Sequence, residues 1–339
     1  MLSRTIGNYH FLADKETGIT FRWGKTLDDN PSFAPVPELA DISISNCCSK
    51  GCDYCYKSSM PDGALMTLED YCYVLESMNS PEYGNVFQVA LGGGEPLEHP
   101  NFFDIIDETV KRSIVPNFTT NGRLLTAETF ERLKGKVGAM AISISKMEEL
   151  NAFIQILMRR NGIRVNLHYI LSHDSIEEAV GIVKGKYNDL LYDVNAIVFL
   201  TYKPAGRGGG RNVIRPGRTL DAFLKEIQTP KISCKIGFDA CFIPMLSRNT
   251  QELDNYVDFC EGGFFSVYVN EKKEVSPCSF SNGKDSFSLN DYDFYDIWLN
   301  KLQPYRERQT NHCITTCKAK LICRGACAYY PQITTCYTL

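Results

Sequence analysis

At 339 residues, with 44% hydrophobic and 22% charged side chains, the chain has length for two ordinary domains and a composition that excludes a disordered polymer or a fibre. Thirty-six Lys and Arg against 40 Asp and Glu give a net charge of -4, which leaves no broad positive field for a phosphate backbone, so nucleic acid is not an expected partner. No apolar run approaches the roughly 18 residues of a membrane span and the N-terminus has no signal-peptide core, which predicts no membrane association and a cytoplasmic location.

In chain order, YHFLADKETGITFRWG alternates about a Glu-Thr-Gly turn and predicts a hairpin over residues 8–24, part of a 1–38 extension serving as a lid or an edge. From residue 39 onward β-rich runs alternate with amphipathic ones. Strands are predicted at 39–45, 86–91, 115–119, 139–145, 164–171 and 196–201, with helices at 67–78, 101–112, 126–135, 147–162 and 175–187. Thr67 caps the first helix ahead of Glu69 and Asp70; the third opens on Thr126 with Thr129, not an acid, three residues on. A repeat of about 27 residues suits βα units with crossover helices, so the fold class is α/β, with parallel strands in a full or partial barrel. The Gly-, Pro- and Arg-rich segment 203–218 breaks the pattern. Beyond about residue 231 the alternation is lost, and a small module there would draw on bound metal to fold.

The 14 cysteines are unevenly placed, in a compartment where metal or redox chemistry explains them better than disulfides. Cys47, Cys48, Cys52, Cys55 and Cys72 come early; none follows until Cys234, and then Cys241, Cys260, Cys278, Cys313, Cys317, Cys323, Cys327 and Cys336 crowd the end. Cys48, Cys52 and Cys55 form C-x3-C-x2-C directly after the first strand. Three thiolates so spaced can hold three irons of a four-iron cluster and leave the fourth iron open. A structural zinc site is the plainer reading, but it wants a fourth ligand. Cys47 could replace Cys48 by counting, with its side chain facing the other way. LGGGEP at 91–96 ends the second strand; its glycines permit close approach of a ligand to the backbone, and Glu95 offers a carboxylate to an ammonium group. His10, His99, His168 and His173 lack metal-ligand spacing, and Trp23, Trp298, Phe264, Phe265 and Tyr268 read as packing residues.

Cys48, Cys52 and Cys55, with Tyr54 before the last of them and Gly93-Gly94-Glu95-Pro96 some forty residues on, resemble the radical S-adenosylmethionine (SAM) superfamily. TTNG at 119–122, ISIS at 142–145, RVNLHYIL at 164–171 and PAGRG at 204–208 extend the resemblance along the sheet. It implies a partial (β/α)6 TIM-like barrel over 39–230. It also implies a [4Fe-4S] cluster on the three cysteines, binding S-adenosyl-L-methionine through its open iron. Gly93, Gly94 and Glu95 would contact the cofactor amino group and Ser143 its ribose. Ser145 stands where many relatives carry aspartate; Lys146, Arg159 and Arg160 are candidates for the carboxylate.

Cys260, Cys278 and the run Cys313-x3-Cys317-x5-Cys323-x3-Cys327, followed by Cys336, are similar to the cysteine-rich SPASM extension, placed at 231–339. That resemblance implies two auxiliary clusters, one on Cys260, Cys278 and Cys327 and one on Cys313, Cys317, Cys323 and Cys336. The fourth ligand of the former is Cys241, with Cys234 or an open iron as alternatives; a zinc module is the alternative for the whole region. The expected activity is a 5′-deoxyadenosyl radical abstracting hydrogen from a ribosomal peptide to give a cross-link, thioether or oxidation. An electron donor such as flavodoxin or ferredoxin, and a separate leader-binding protein, are the implied partners. Sulfatase-type maturation is disfavoured by Ser279, where that group carries aspartate. A small-molecule radical dehydrogenase and a non-catalytic, metal-stabilised binding or assembly protein are the competing readings.

Overall fold

The computed structural model describes residues 1–157, 160, 162–249, 259–311 and 327–333. Three strands open the chain: β1 (Leu2–Ile6), β2 (Tyr9–Ala13) and β3 (Thr20–Trp23), an antiparallel sheet in that order. The expected hairpin is β2–β3, closed where Asp14 N–H donates to the Ile19 carbonyl at 2.9 Å and Gly18 takes φ +76°. β1 was not legible, because its five residues bury only alternate positions and those only partly.

The sheet is a floor and not a lid over the strand ends. Tyr9, Phe11 and Ala13 pack on Phe87, Phe264 and Phe265, which precede barrel strands, and Arg4 bonds to the Asn85 carbonyl on the same end. Glu38, the residue before the first barrel strand, accepts from Tyr9 at 2.7 Å and pairs with Arg22 at 2.9 Å.

The barrel then runs β4 (Leu39–Ser45), α1 (Leu68–Ser77), β5 (Gln88–Gly93), α2 (Phe102–Lys111), β6 (Val115–Thr120), α3 (Ala127–Leu133), β7 (Met140–Ile144), α4 (Ile154–Leu157), β8 (Val165–Leu171), α5 (Ile176–Val183), β9 (Ala196–Thr201), α6 (Arg218–Glu226), β10 (Lys235–Phe238) and α7 (Ile243–Asn249). β11 (Ser266–Val269), β12 (Glu274–Ser276), β13 (Phe287–Ser288) and α8 (Gln303–Asn311) follow. One ten-stranded sheet has the order β10-β9-β8-β7-β6-β5-β4-β11-β12-β13, parallel from β10 to β11 and antiparallel beyond. The sheet therefore crosses the point where alternation stops in the sequence: β10 lies beside β9, and β11 pairs with the first barrel strand, Ser266 opposite Leu39.

Strand alternation separates core from cavity. Ala40, Ile42 and Ile44 of β4, Val89 and Leu91 of β5, and Leu167 and Tyr169 of β8 bury outward beneath the helices. The opposite positions, Asp41, Ser43, Ser143 and His168, face the barrel interior, which is polar and incompletely filled.

The helix starts follow their caps. Thr67 accepts from Asp70 N–H at 3.0 Å, and Thr126 and Thr129 form a reciprocal box in which a hydroxyl does the work expected of an acid. Residues 158, 159 and 161 of the helix predicted over 147–162 lie outside the described residues; in its described part the chain forms a 3-10 stretch, Met147–Ala152, and then α4. The cause is Glu149, whose Oε1 turns back to accept from Ser145 N–H (2.8 Å), Ser145 Oγ (2.7 Å) and Lys146 N–H (3.1 Å), winding the first turn tightly.

Candidate active site

The loop after β4 carries the first cysteines and is laced to its own return: Asn46 N–H donates to the Ala64 carbonyl (2.7 Å) and Cys48 N–H to that of Met60 (2.9 Å). Cys48, Cys52 and Cys55 all line one cavity of about 390 Å³ at the C-terminal strand ends, the side where ligands bind in parallel α/β folds. Cys47 points away, its thiol 3.0 Å from the Pro61 carbonyl and 3.6 Å from Glu98. Burial, and then the carboxylates of Glu98 and Glu95, raise the Cys48 thiol, so its thiolate form wants a cationic partner.

Gly92, Gly93 and Gly94 divide their labour. A Cβ on Gly93 would fall 2.0 Å from the Ser45 carbonyl oxygen and one on Gly94 2.0 Å from that of Cys47, while one on Gly92 meets nothing within 4 Å. Gly93 and Gly94 thus let two backbones touch, and Gly94 and Glu95 N–H groups donate across the gap to Ser45 (2.6 Å) and Cys47 (2.7 Å). Only Gly92 leaves open space.

Glu95 is 1% exposed and accepts from Thr120 Oγ1 (2.6 Å), Asn121 N–H (2.6 Å) and Leu97 N–H (3.1 Å). These bonds stabilise its charge against a burial that raises its pKa overall, and of about four acceptor directions on a carboxylate one is left for a ligand. Ser143 lines the same cavity. Ser145, its hydroxyl committed to Glu149, faces a neighbouring cleft together with Lys146, and Tyr54 borders both spaces. Arg160 pairs with Asp193 at 2.6 Å, and Arg159 lies outside the described residues.

Several residues escaped the sequence reading. Arg207, in the turn after β9, donates Nε to the Cys52 carbonyl (2.9 Å) and Nη1 to that of Ser59 (2.8 Å), and its N–H reaches the Cys55 carbonyl (3.0 Å). Gly206 permits this strap, since a Cβ there would sit 2.4 Å from the Cys55 oxygen. Lys57 joins the loop to the far hairpin through Glu271 (2.8 Å), Ser43 (2.6 Å) and Tyr268 (3.0 Å), so Tyr268 is more than packing. His168 stands in the cavity wall, burial pushing its imidazole down to about 4, and Asp41 lines the same cavity, burial raising its carboxyl to about 6. A Pro-Ala-Gly-Arg-Gly string after a strand was the one visible signal for the strap; single interior residues carry none. His99 is structural: its Nδ1 accepts from Asn101 N–H at 3.1 Å, and its Nε2–H donates to the Met66 carbonyl at 2.8 Å.

The C-terminal cysteines form a second centre. Cys241, Cys260, Cys278 and Cys327 all line a small cavity of about 40 Å³, whereas Cys234 lines the larger seam between β10 and β11, a cavity of about 920 Å³. Burial pushes the Cys260 thiol up to about 11 and that of Cys278 up to about 12; a hydrogen bond between Cys241 and Cys327 raises the former and lowers the latter. Cys313, Cys317, Cys323 and Cys336 lie outside the described residues.

Both centres suit iron and sulfur. Among the described residues no three His, Cys, Asp or Glu side chains converge tightly enough for one metal ion. Sulfur is the donor type at both places, three cysteines about the loop cavity and four about the C-terminal one, and it is the ligand type that iron-sulfur clusters use. No helix among the described residues is long and apolar enough to cross a membrane.

The model of the radical SAM superfamily matches residues 42–181. Mycofactocin maturase MftC of Mycobacterium ulcerans is 32% identical over 317 residues, 86% of this chain and 83% of that protein. The AdoMet-dependent heme synthase of Methanosarcina barkeri is 24% identical over 333 residues, covering 86% and 91%. Among solved structures, SuiB of Streptococcus suis superposes with a TM-score of 0.69 at 14% identity over 96% of this chain and 94% of that one. Its complex with the precursor peptide SuiA gives 0.66 at 18% identity over 87% and 72%.

Proposed function

Given that the chain belongs to the radical SAM superfamily, we propose that it modifies a ribosomally made peptide by hydrogen abstraction, giving a cross-link, thioether or oxidation. The observation that carries this reading is continuity. The cavity holding the three loop cysteines shares Asp41, Lys203, Asp239 and Phe280 with the 920 Å³ seam, which leads past the C-terminal cysteines. A substrate in that seam lies between two metal centres. The peptide class draws support from MftC and from the SuiB–SuiA complex.

Cys48, Cys52 and Cys55 would hold three irons of the first cluster, with Tyr54, Gly93, Gly94, Glu95, Ser143 and Ser145 about the cofactor. Cys241, Cys260, Cys278 and Cys327 would hold an auxiliary cluster, and Cys313, Cys317, Cys323 and Cys336 another, three [4Fe-4S] clusters in all. When bound, the first cluster and S-adenosylmethionine supply a 5′-deoxyadenosyl radical. The chain's own work is placement. Glu95 takes the cofactor ammonium on its remaining acceptor direction, Arg207 keeps the cysteine loop in register, and a neutral His168 adds no charge beside a neutral radical. A flavodoxin or ferredoxin would deliver the electron in the cytoplasm, and a separate protein would present the leader.

Anaerobically prepared holoenzyme should carry about twelve iron atoms per chain and form 5′-deoxyadenosine with a reductant. The Cys48→Ala/Cys52→Ala/Cys55→Ala variant should lose that product and about four irons. Mass spectrometry of short peptides encoded beside the gene, co-expressed with it, tests the substrate. Unmodified peptides, with 5′-deoxyadenosine formation coupled instead to a tetrapyrrole, would transfer the assignment to the small-molecule chemistry named for the heme synthase relative.

A further inference from the structure

Lys203 is a buried cation at the meeting point of three cavities. Its side chain is 4% exposed, yet it borders the cofactor cavity, the seam and the small cavity of the four C-terminal thiols. Nζ donates to Asp239 Oδ2 at 2.8 Å and to the Thr201 carbonyl at 3.0 Å, and lies 4.4 Å from the centre of the Phe280 ring. Asp239 is fixed in turn by Thr201 Oγ1 at 2.6 Å. Burial disfavours the ammonium, and Asp239, its ion-pair partner, is the strongest influence in its favour.

Folding does not explain the pair. Two apolar side chains of similar volume commonly serve a buried site as well or better. A charge beside cysteine sulfurs has a direct chemical effect: an ammonium stabilises the more negative, reduced form of a cluster, and an unbalanced carboxylate disfavours it.

We propose that Lys203, with Asp239 as its counter-ion, sets the reduction potential of the cluster held by Cys241, Cys260, Cys278 and Cys327, so that it accepts an electron from a radical formed in the adjoining cavity. The inference rests on the ligand set proposed above. The step is a single electron transfer: the oxidised cluster gains one electron, and the carbon radical, oxidised by one electron, closes its new bond with loss of a proton to solvent. Lys203 keeps its own proton throughout.

The test is an EPR-monitored redox titration of reconstituted holoenzyme, taking as the relevant signal the one absent from Cys278→Ala. Lys203→Met should lower the reduced-to-oxidised ratio at fixed potential about tenfold or more, equivalent to about 59 mV for one electron. Asp239→Asn should raise it, Lys203→Arg should hold it near wild type, and the N-terminal cluster should not move. Opposite signs for the two charge deletions are what a structural role cannot produce. Equal or absent shifts overturn the inference, as does iron loss in Lys203→Met together with an unmoved potential in Asp239→Asn. If Cys278→Ala keeps full iron and every signal, the ligand set itself has failed and the inference falls with it.

Discussion

His168 shows how a residue with no sequence signature acquires a defined chemical state. It alternates with Leu167 and Tyr169 on β8, so core burial of those two turns its imidazole into the barrel, 3.4 Å from Thr119 Oγ1. Burial, against the pull of Asp239, depresses its pKa to about 4, from an unfolded value near 6.5. The folded state therefore favours the neutral ring, a contribution complete above about pH 6.5 and lost as pH falls through about 4. Unfolding free energies from urea titrations down that range should fall by up to about 3 kcal/mol, and His168→Gln should remove that share of the pH dependence. Spacing made Cys48, Cys52, Cys55 and Glu95 legible because a cluster and a glycine turn impose short local patterns. Lys203, Asp41 and His168 are single residues whose neighbours come from other strands, and nothing local announces them. Cys47 does turn away from Cys48, but not by strand alternation, since β4 ends at Ser45; its thiol is held by the Pro61 carbonyl and Glu98.

At the scale of elements, caps and periodicity located five of the six expected strands to within one residue at each end and the other to within two, inside the margin usual for boundaries; the hydrophobic pattern of that one began at Val86, where the ladder starts only at Gln88. The box at the start of α3 is the finer lesson, since Thr129 returns its hydroxyl to Thr126 N–H at 3.2 Å as an acid would. Thr126→Ala should cost about 1 kcal/mol, read as a lowered thermal midpoint with the iron content unchanged. The segment after β7 went the other way because Glu149 was drawn into the loop, an interaction that helical periodicity does not encode. β10 and β11 were missed for a third reason. KIGF and SVYV are too short to signal alone and become strands by meeting β9 and β4.

Over the whole molecule, Arg22 joins three regions that are distant in sequence. From β3 it pairs with Glu38 at the root of the barrel and with Glu261 ahead of β11, and its guanidinium lies 3.8 Å over the Phe265 ring. Arg22→Ala would leave the Glu38 carboxylate buried with Tyr9 as its remaining side-chain donor among the described residues, which should cost about 3 kcal/mol. Urea unfolding monitored by fluorescence would measure this, and anaerobic iron analysis should find the metal complement intact. The α/β class and the order of its units were readable because each βα unit repeats a period. The joining of floor, barrel and cysteine-rich end was not, because it depends on isolated charges and on strand pairing across more than half the chain.

That pairing governs how the protein is made. The edge of β4 finds its neighbour only when Ser266–Val269, more than two hundred residues further along, has left the ribosome. Until then the nascent chain displays an unpaired strand edge beside the cysteine loop, a combination that invites aggregation. Heterologous production should accordingly be limited less by the finished enzyme's stability than by how quickly translation carries the chain past residue 269.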